Sequence, residues 1–299
     1  MFEKHEAFAL SDDAFRLLRD LIRDYSGIYF DDSARYLLEK RLTARLRTNN
    51  INNYRDYYRY LLYDRNREDE LAAIMDVLTV NETYFFREKN QLLSFSDEIL
   101  PELRQKNKNS RKIRIWSAGC STGEEPYTIG MLILESNLFN GWDIEILGSD
   151  INRRVLQTAR RGIYRQNSFR SIERYYINKY FEPLPDGSFK ILDRVKRLLN
   201  FGYLNLFDAV KMSSLGSMDV VFCRNALIYF DMPSKKKVVE EFYNVLPDGG
   251  YLLLGHAESL INMSTAFALK HLKHDLVYQK PESSSQKSSL QRMISCRKR

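Results

Sequence analysis

A Rossmann-like α/β domain carrying a small inserted antiparallel β lobe, preceded by an all-α N-terminal domain, is the architecture this sequence predicts. Roughly the first 85 residues place their apolar side chains at helical spacing. From Arg111 onward the short β-rich runs IRIW, IEILGSD, MDVVFCRN and GGYLLLG alternate with helical segments, as in a parallel sheet covered by helices. One interruption, residues 180–206, is strand-like around a Pro185-Asp186-Gly187 turn and reads as an antiparallel hairpin lobe.

In chain order, Asp12 and Asp13 precede Phe15, Leu18, Ile22 and Tyr25, one helical face that Gly27 closes. Asp31, Asp32 and Ser33 offer caps for a second helix with Leu38, Leu42 and Leu46 on one stripe. The run Asn49-Asn50-Ile51-Asn52-Asn53 breaks it. A tyrosine-rich helix follows at 54–63 and another at 68–78. A linker helix over 89–106 ends in the polar run QKNKNSRK. The expected units are an all-helical domain at 1–88, the linker helix at 89–110, and an α/β domain at 111–281 with its hairpin insertion at about 178–206. A basic tail at 282–299 has no core pattern and reads as disordered.

Of 299 residues, 44% are hydrophobic and 28% charged, enough apolar content for an ordinary core. No apolar run approaches the roughly 20 residues that cross a bilayer, and the first residues lack the apolar stretch of a secretory signal. Cys120, Cys223 and Cys296 lie far apart without metal-ligand spacing, which suits reduced thiols and a cytoplasmic location. The net charge of +7 is uneven. Residues 33–67 carry nine Lys/Arg against three Asp/Glu, residues 280–299 six against one, and the remainder is net negative. That distribution points to one basic patch and one basic tail meeting acidic partners, more than to a nucleic-acid surface.

The run IRIW-SAGCSTGEEPYTIGMLIL sets a strand, a small-residue turn holding Gly119 and Gly123, and a helix in succession. Small residues let backbone N–H groups approach a ligand, and the helix N-terminus adds positive potential. The spacing is not that of a dinucleotide fingerprint. Glu124 and Glu125 occupy the first helical turn, where a pyrophosphate would otherwise lie. Carboxylates there repel phosphate and attract a cationic amino-acid ligand, which favours S-adenosylmethionine over NAD. The plainer alternative is a structural turn with two carboxylates complementing the helix dipole. Asp150 ends the second strand, where it can accept from both ribose hydroxyls or cap the next helix. Arg224, Asn225 and Tyr229 follow the strand at 218–223 and are expected to face the same crevice. Cys223 reads as a buried strand residue rather than a nucleophile. His256, after the last strand, has either a pocket role or a structural one.

The octapeptide NETYFFRE (81–88), with AGCSTGEEPY (118–127), SDI (149–151) and CRNALIYF (223–230), resembles the CheR family of chemoreceptor glutamate O-methyltransferases. The likeness runs in matching order over residues 8–280. It implies a class I S-adenosylmethionine-dependent methyltransferase domain that needs no metal and leaves S-adenosylhomocysteine. It implies methylation of glutamate side chains on the cytoplasmic helices of methyl-accepting chemotaxis receptors, which sets receptor adaptation. At matched positions, Asn81, Thr83 and Arg87 would contact the cofactor from the interdomain segment. Glu125 would hold its amino group and Asp150 its ribose, with Gly119 in the turn between. Asn205 and Leu206 would lie by the adenine, and Arg224 and Asn225 would complete the wall. Arg87 and Tyr229 would also shape the methyl-transfer site. Arg41, Arg45 and Arg47 match the family's receptor-facing helix, whereas Ala44 stands where relatives can be basic. In some relatives the β lobe grips a short peptide at the receptor C-terminus. The resemblance further implies a monomer that neither enters the membrane nor binds nucleic acid.

A glutamate side chain has an ordinary pKa of about 4.3, so it is already an anion and needs no general base to attack a sulfonium methyl. In keeping with this, the sequence offers no obvious Ser-His-Asp, Cys-His or metal constellation. Charge is neutralised during transfer, so excluding water and aligning the reactants should help, the latter by about 7–11 kcal/mol in favourable cases. Arg87 is assigned to orienting the carboxylate, because strong neutralisation would slow attack. Tyr229 is assigned a place beside the sulfonium. A nucleic-acid methyltransferase is the main rival, but the chain lacks an Asn/Asp-Pro-Pro-aromatic loop and a cysteine in a Pro-Cys setting. A non-catalytic cofactor sensor would not need Arg87, Glu125, Asp150, Arg224 and Tyr229 together. The same chemistry on receptors of a different signalling pathway is a third alternative.

Overall fold

The computed structural model describes residues 9–282; from 283 onward the expected basic tail, with Cys296, lies outside the described residues. Helix α1 (Asp12–Ser26) starts where the Ser11 side chain accepts from the Ala14 N–H, and it ends at Gly27 in the left-handed region. A 3-10 turn capped by Asp31 leads into α2 (Arg35–Thr48). Helix α3 (Tyr54–Tyr63) is capped by Asn53, and α4 (Arg67–Leu78) completes the helical domain. The leucine stripe of α2 packs with Leu18, Ile22, Tyr57, Ile74 and Met75 in one core.

Inside that domain sits a buried carboxylate, Glu70, only 5% exposed. Both of its oxygens pair with Arg45, at 3.0 and 2.6 Å, and the Tyr57 hydroxyl donates to it. Arg45, expected on the receptor-facing helix, here meets the need of a buried charge for a charged partner. Arg41 donates to the Leu78 carbonyl at the end of α4, which leaves Arg47 as the exposed member of the trio.

The linker helix is α5 (Lys89–Ser94) and α6 (Leu100–Lys106) joined through a π turn, Phe95–Ile99. It packs Phe95, Ile99, Leu100 and Leu103 against the sheet that follows. That sheet takes β1 (Lys112–Ala118), then α7 (Glu124–Ser136), β2 (Asp143–Asp150) and α8 (Arg153–Arg161). The lobe follows, with β3 (Ile163–Tyr164), α9 (Arg174–Tyr180), β4 (Phe181–Pro183), β5 (Phe189–Ile191) and α10 (Asp193–Lys196). The main sheet resumes with β6 (Leu199–Tyr203), α11 (Ala209–Ser214), β7 (Val220–Cys223), α12 (Met232–Val245), β8 (Tyr251–Leu254), β9 (Ala268–His271) and β10 (Leu276–Gln279).

Strand order in the main sheet is β6-β2-β1-β7-β8-β10-β9. The first five strands are parallel, and β10 and β9 close the far edge antiparallel. Alternate residues serve opposite faces: Val220, Phe222, Tyr251 and Leu253 face α5 to α7 and the lobe, whereas Val221, Cys223, Leu252 and Leu254 pack beneath α12. Both faces are covered, which is why these strands read as continuous apolar runs.

The lobe differs from the hairpin expected over 178–206. Its sheet has order β3-β5-β4 and recruits Ile163–Tyr164 from upstream. Leu199–Tyr203 instead pairs parallel with β2, from Ile146↔Leu199 to Asp150↔Tyr203. A two-residue strand leaves no periodic signal. The β-like run at 199–203 carries no mark of which strand it will join.

Arg45→Ala is expected to destabilise the protein by about 3–5 kcal/mol, because it strands the buried Glu70 charge. Arg47→Ala should stay within about 0.5 kcal/mol. Urea unfolding followed by circular dichroism measures both, and equal effects would refute the structural role of Arg45.

Candidate active site

Strand β1 connects to β2 on one side, while β7 adds to its other side. The carboxyl ends of β1 and β7 therefore diverge into a crevice, the position where open α/β sheets bind ligands. A cavity of about 990 Å³, mouth included, opens there. Three walls come from the sheet's loops, from the strap at 79–88 that leaves the helical domain, and from the turn after α1.

The strap is held by its aromatic residues. Phe85 is fully buried among Tyr164, Phe169 and Phe181, with ring centroids 4.8, 5.4 and 5.0 Å away, and Phe86 packs on Tyr176 at 4.4 Å. The lobe thus anchors the strap. Phe86 and Glu88 both adopt left-handed backbone, φ +59° and +56°, which bulky residues rarely do. Arg87 lies between them and lines the cavity, its Nη1 donating to the Glu82 carbonyl at 2.8 Å. Asn81 and Thr83 line the same wall.

The loop after β1 needs its glycines. Gly119 has φ +79°, and a Cβ there would come within 3.0 Å of the Ala226 side chain; at Gly123, φ +95°, it would meet Ala159 at 2.9 Å. Asp150, 7% exposed, ties this loop to β2. Its Oδ2 accepts from the Ser121 N–H at 2.8 Å and its Oδ1 from the Asn152 N–H at 2.9 Å. The Ser121 hydroxyl in turn donates to the Asn81 carbonyl of the strap at 3.1 Å. Burial pushes the Asp150 carboxyl above the ordinary aspartate range, against the pull of those N–H donors. Asn152, not Asp150, caps α8, accepting from the Arg154 and Val155 N–H groups.

Adjacent carboxylates of α7 diverge. Glu125 lines the cavity, accepting from the Ser117 hydroxyl at 2.7 Å and pairing with Arg224 at 3.1 Å. Glu124 turns away toward the lobe, where Thr122 and Ser168 hydroxyls donate to it and burial raises its pKa. The acidic pair expected to face a cation is thus one residue, because consecutive helical positions point about 100° apart.

Arg224, whose side chain is 3% exposed, links the walls. It pairs with Glu88 at 3.0 Å, with Glu125 at 3.1 Å, and donates to the Arg87 carbonyl. Asn225, again left-handed at φ +59°, donates its side-chain amide to Glu88 at 3.3 Å. Its backbone N–H donates to Glu258 at 2.8 Å. Glu258 also accepts from the Gly255 and Ile228 N–H groups, so one carboxylate pins two loops. Gly255 has no room for a side chain, since a Cβ would lie 2.9 Å from the Asn225 nitrogen.

The turn after α1 brings Ser26 and Ile28 into the cavity wall. The Tyr29 N–H donates to the Tyr229 carbonyl at 2.9 Å, and the Asn205 side-chain amide donates to the Tyr25 carbonyl at 2.6 Å. Gly27 makes this closure possible, for a Cβ would sit 2.5 Å from Phe230 and 2.9 Å from Phe207.

Ten residues assigned from the sequence to cofactor binding line this one cavity: Asn81, Thr83, Arg87, Gly119, Glu125, Asp150, Asn205, Leu206, Arg224 and Asn225. Tyr229 joins them, with burial raising its phenol pKa. Arg41, Arg45 and Arg47 do not line it. His256 is exposed and pairs with Asp275 at 3.1 Å, so it takes the structural alternative. Cys120 and Cys223 are buried thiols whose pKa burial raises, which suits inert side chains. Sequence reasoning missed Glu88, Glu258 and Gly255. Glu88 lay within a quoted motif, but its φ and its partner 136 residues away carry no local signal. Asn225 Oδ1 is buried without a partner, a polar atom left beside a cavity whose carboxylates suit a cationic ligand.

Family models match nearly the whole described chain: "CheR methyltransferase, all-alpha domain" over residues 13–79 and "CheR methyltransferase, SAM binding domain" over residues 81–276. Chemotaxis protein methyltransferase 2 of Vibrio cholerae is 41% identical, covering 91% of this chain and 94% of its own length. The chemotaxis protein methyltransferase of Borreliella burgdorferi is 35% identical, covering 83% and 88%. That of Escherichia coli is 31% identical, covering 90% and 92%.

Gly27→Val is expected to lift the turn after α1 off Phe230 and Phe207, since it adds both a clash and a forbidden φ. Limited proteolysis should then cut the strap at 79–88 faster than in the parent. An unchanged cleavage rate, with the fold intact by circular dichroism, would show that the turn does not hold the wall.

Proposed function

The chain belongs to the CheR methyltransferase family, and from that premise we propose that it methylates glutamate side chains on the cytoplasmic helices of chemotaxis receptors, giving γ-carboxyl methyl esters. One observation carries the reading: strap, glycine loop and post-β7 loop converge on a single cavity rich in carboxylates, with no activated nucleophile in its wall. In this reading Glu125 takes the cofactor's ammonium, Asp150 the ribose hydroxyls, and Asn205 with Leu206 the adenine edge. Asn81, Thr83 and Gly119 line the path between them.

S-adenosylmethionine supplies a methyl group on a sulfonium, and the S–CH3 electron pair stays on sulfur as a substrate carboxylate oxygen forms the new O–CH3 bond. The carboxylate is already ionised, so no residue has to remove a proton. The protein's work is alignment and exclusion of water. Arg87, fixed between two left-handed residues, orients the incoming carboxylate with its planar guanidinium. Tyr229 is a phenol whose pKa burial raises further, and it packs beside the transferring methyl.

Receptor docking draws on the basic surface of residues 33–67. Arg47 presents its charge there and Arg41 lies partly exposed beside it, whereas Arg45 is committed to Glu70. The β lobe keeps β4 as an edge strand, a surface on which a receptor C-terminal peptide can add by strand pairing. On this reading the enzyme works in the cytoplasm, beside the receptor helices it modifies.

Incubation with methyl-labelled cofactor and a purified receptor cytoplasmic domain should label the receptor, and mild alkali should release the label. An alkali-stable product, or labelling of nucleic acid alone, would overturn the reading. A second expectation concerns pH. Protonating Asp150 removes its acceptor for the ribose hydroxyls, and its raised pKa makes that loss begin above the ordinary aspartate value of 3.8. Affinity for S-adenosylhomocysteine, followed by calorimetry, should fall as pH drops into that window. Asp150→Asn should weaken binding about ten-fold or more at neutral pH and flatten this limb. A profile unchanged by the substitution would remove Asp150 from the ribose site.

A further inference from the structure

Two arginines flank one tyrosine at the mouth of the cavity, and the mechanism uses only one of them. Tyr84 belongs to the strap and lines the cavity. The Arg87 guanidinium stands 5.8 Å from its ring centroid and that of Arg170 stands 3.8 Å from it. Arg87 is part of the cavity wall. Arg170 comes from the lobe, directly after the 3-10 turn Gln166–Phe169, and lies outside that wall. The turn is fixed to the strap, since the Ser168 carbonyl accepts from the Phe85 N–H at 3.0 Å and Phe169 stacks on Phe85. Backbone and cation–π contact together hold Arg170 against Tyr84.

The partner of Arg170 is a carboxylate of the strap. Its Nη2 donates to Glu82 Oε1 at 2.6 Å, and the two side chains are 46% and 68% exposed. That hydrogen bond, with the charge of Arg170 and then that of Arg87, holds the Glu82 carboxyl below the usual range. The pair stands on the side of the methyl-transfer site: beyond burial, the Tyr229 phenol is acted on by the charges of Arg87, Glu82, Glu258 and Arg41. An ion pair this exposed contributes little, because either member is readily hydrated. Another carboxylate can therefore replace Glu82, while Tyr84 keeps the guanidinium in place through the exchange.

Spacing suits a helical substrate. Laid end to end, the two ring distances span less than two turns of an α-helix, about 11 Å. Side chains three or four residues apart share one helix face, with about 5–6 Å between their Cβ atoms. A helix that presents a glutamate to Arg87 can thus present another carboxylate, one turn away, to Arg170.

We propose that Arg170 is a specificity-determining residue for the receptor: it takes a second substrate carboxylate, three or four residues from the glutamate that receives the methyl group, and Glu82 is the internal carboxylate that fills this place until the helix arrives. The inference rests on the methylation reading above. A parent protein that methylates no receptor domain refutes that reading, whereas a parent that methylates one without regard to the flanking carboxylate refutes this proposal alone.

The test is the KM for a purified receptor cytoplasmic domain at saturating cofactor, measured on the full chain. Arg170→Gln should raise it by about three-fold or more, the size of one exposed ion pair, with kcat and the calorimetric affinity for S-adenosylhomocysteine close to the parent's. Glu82→Gln releases the guanidinium and should lower KM. A mere latch between strap and lobe is broken by both substitutions, so shifts of the same sign in the two variants would overturn the proposal. The deciding measurement changes the substrate: glutamine replaces its carboxylates three and four residues to either side of the methylated glutamate. KM of the parent should then rise to that of Arg170→Gln, and KM of Arg170→Gln should stay where it was. An equal rise in both proteins would overturn the assignment.

Discussion

One buried guanidinium organises the site. Arg224 is reached by the strap through Glu88 and the Arg87 carbonyl, and by α7 through Glu125. It sits directly after β7, so the register of the parallel sheet decides where its charge lies. A charge buried this deeply is tolerated only with partners, and removing one partner of such a pair typically costs about 3–5 kcal/mol. The linker helix begins at the residue after Glu88, so the ion triad couples helical domain, linker and sheet at one point.

Backbone strain gathers around the same point. Phe86, Glu88, Ser121 and Asn225 are non-glycine residues in the left-handed region, and all four lie within or beside the cavity wall. Each such residue costs on the order of 1–3 kcal/mol and persists only where its surroundings over-determine it. Here the surroundings are carboxylates that accept backbone N–H groups: Asp150 holds Ser121, and Glu258 holds Asn225. The aromatic cluster around Phe85 does the same for the strap. Acidic residues thus shape the cavity before they meet any ligand.

The helical domain is a structural part of the cavity as well as the basic face of the protein. Its turn after α1 supplies Ser26 and Ile28 to the wall, and Gly27 gives that turn its close approach to Phe230. The helical domain thus reaches the cavity through two segments, the turn after α1 and the strap at 79–88. Arg45 illustrates the division within it, since its charge stabilises the domain's interior while Arg47 faces outward.

Periodicity and local chemistry by themselves determined a good deal. Asp12 and Asp13 open α1 and Gly27 closes it, the leucine stripe of α2 is core, and the apolar runs at β1, β2, β7 and β8 form a parallel sheet. Each of these follows from interactions within a few residues, which is why sequence carries them. Motif resemblance likewise placed eleven residues on one cavity. Tertiary structure alone decided the rest. The pairing of Leu199–Tyr203 with β2, the turn of Glu124 away from the cavity, the burial of Arg45 on Glu70 and the grip of Glu88 and Glu258 on the post-β7 loop all join residues distant in the chain or depend on side-chain direction. Charge on a sequence does not say whether a residue faces solvent or a buried partner. That choice is made by the desolvation cost of the carboxylate it meets, and only the assembled fold determines which carboxylate that is.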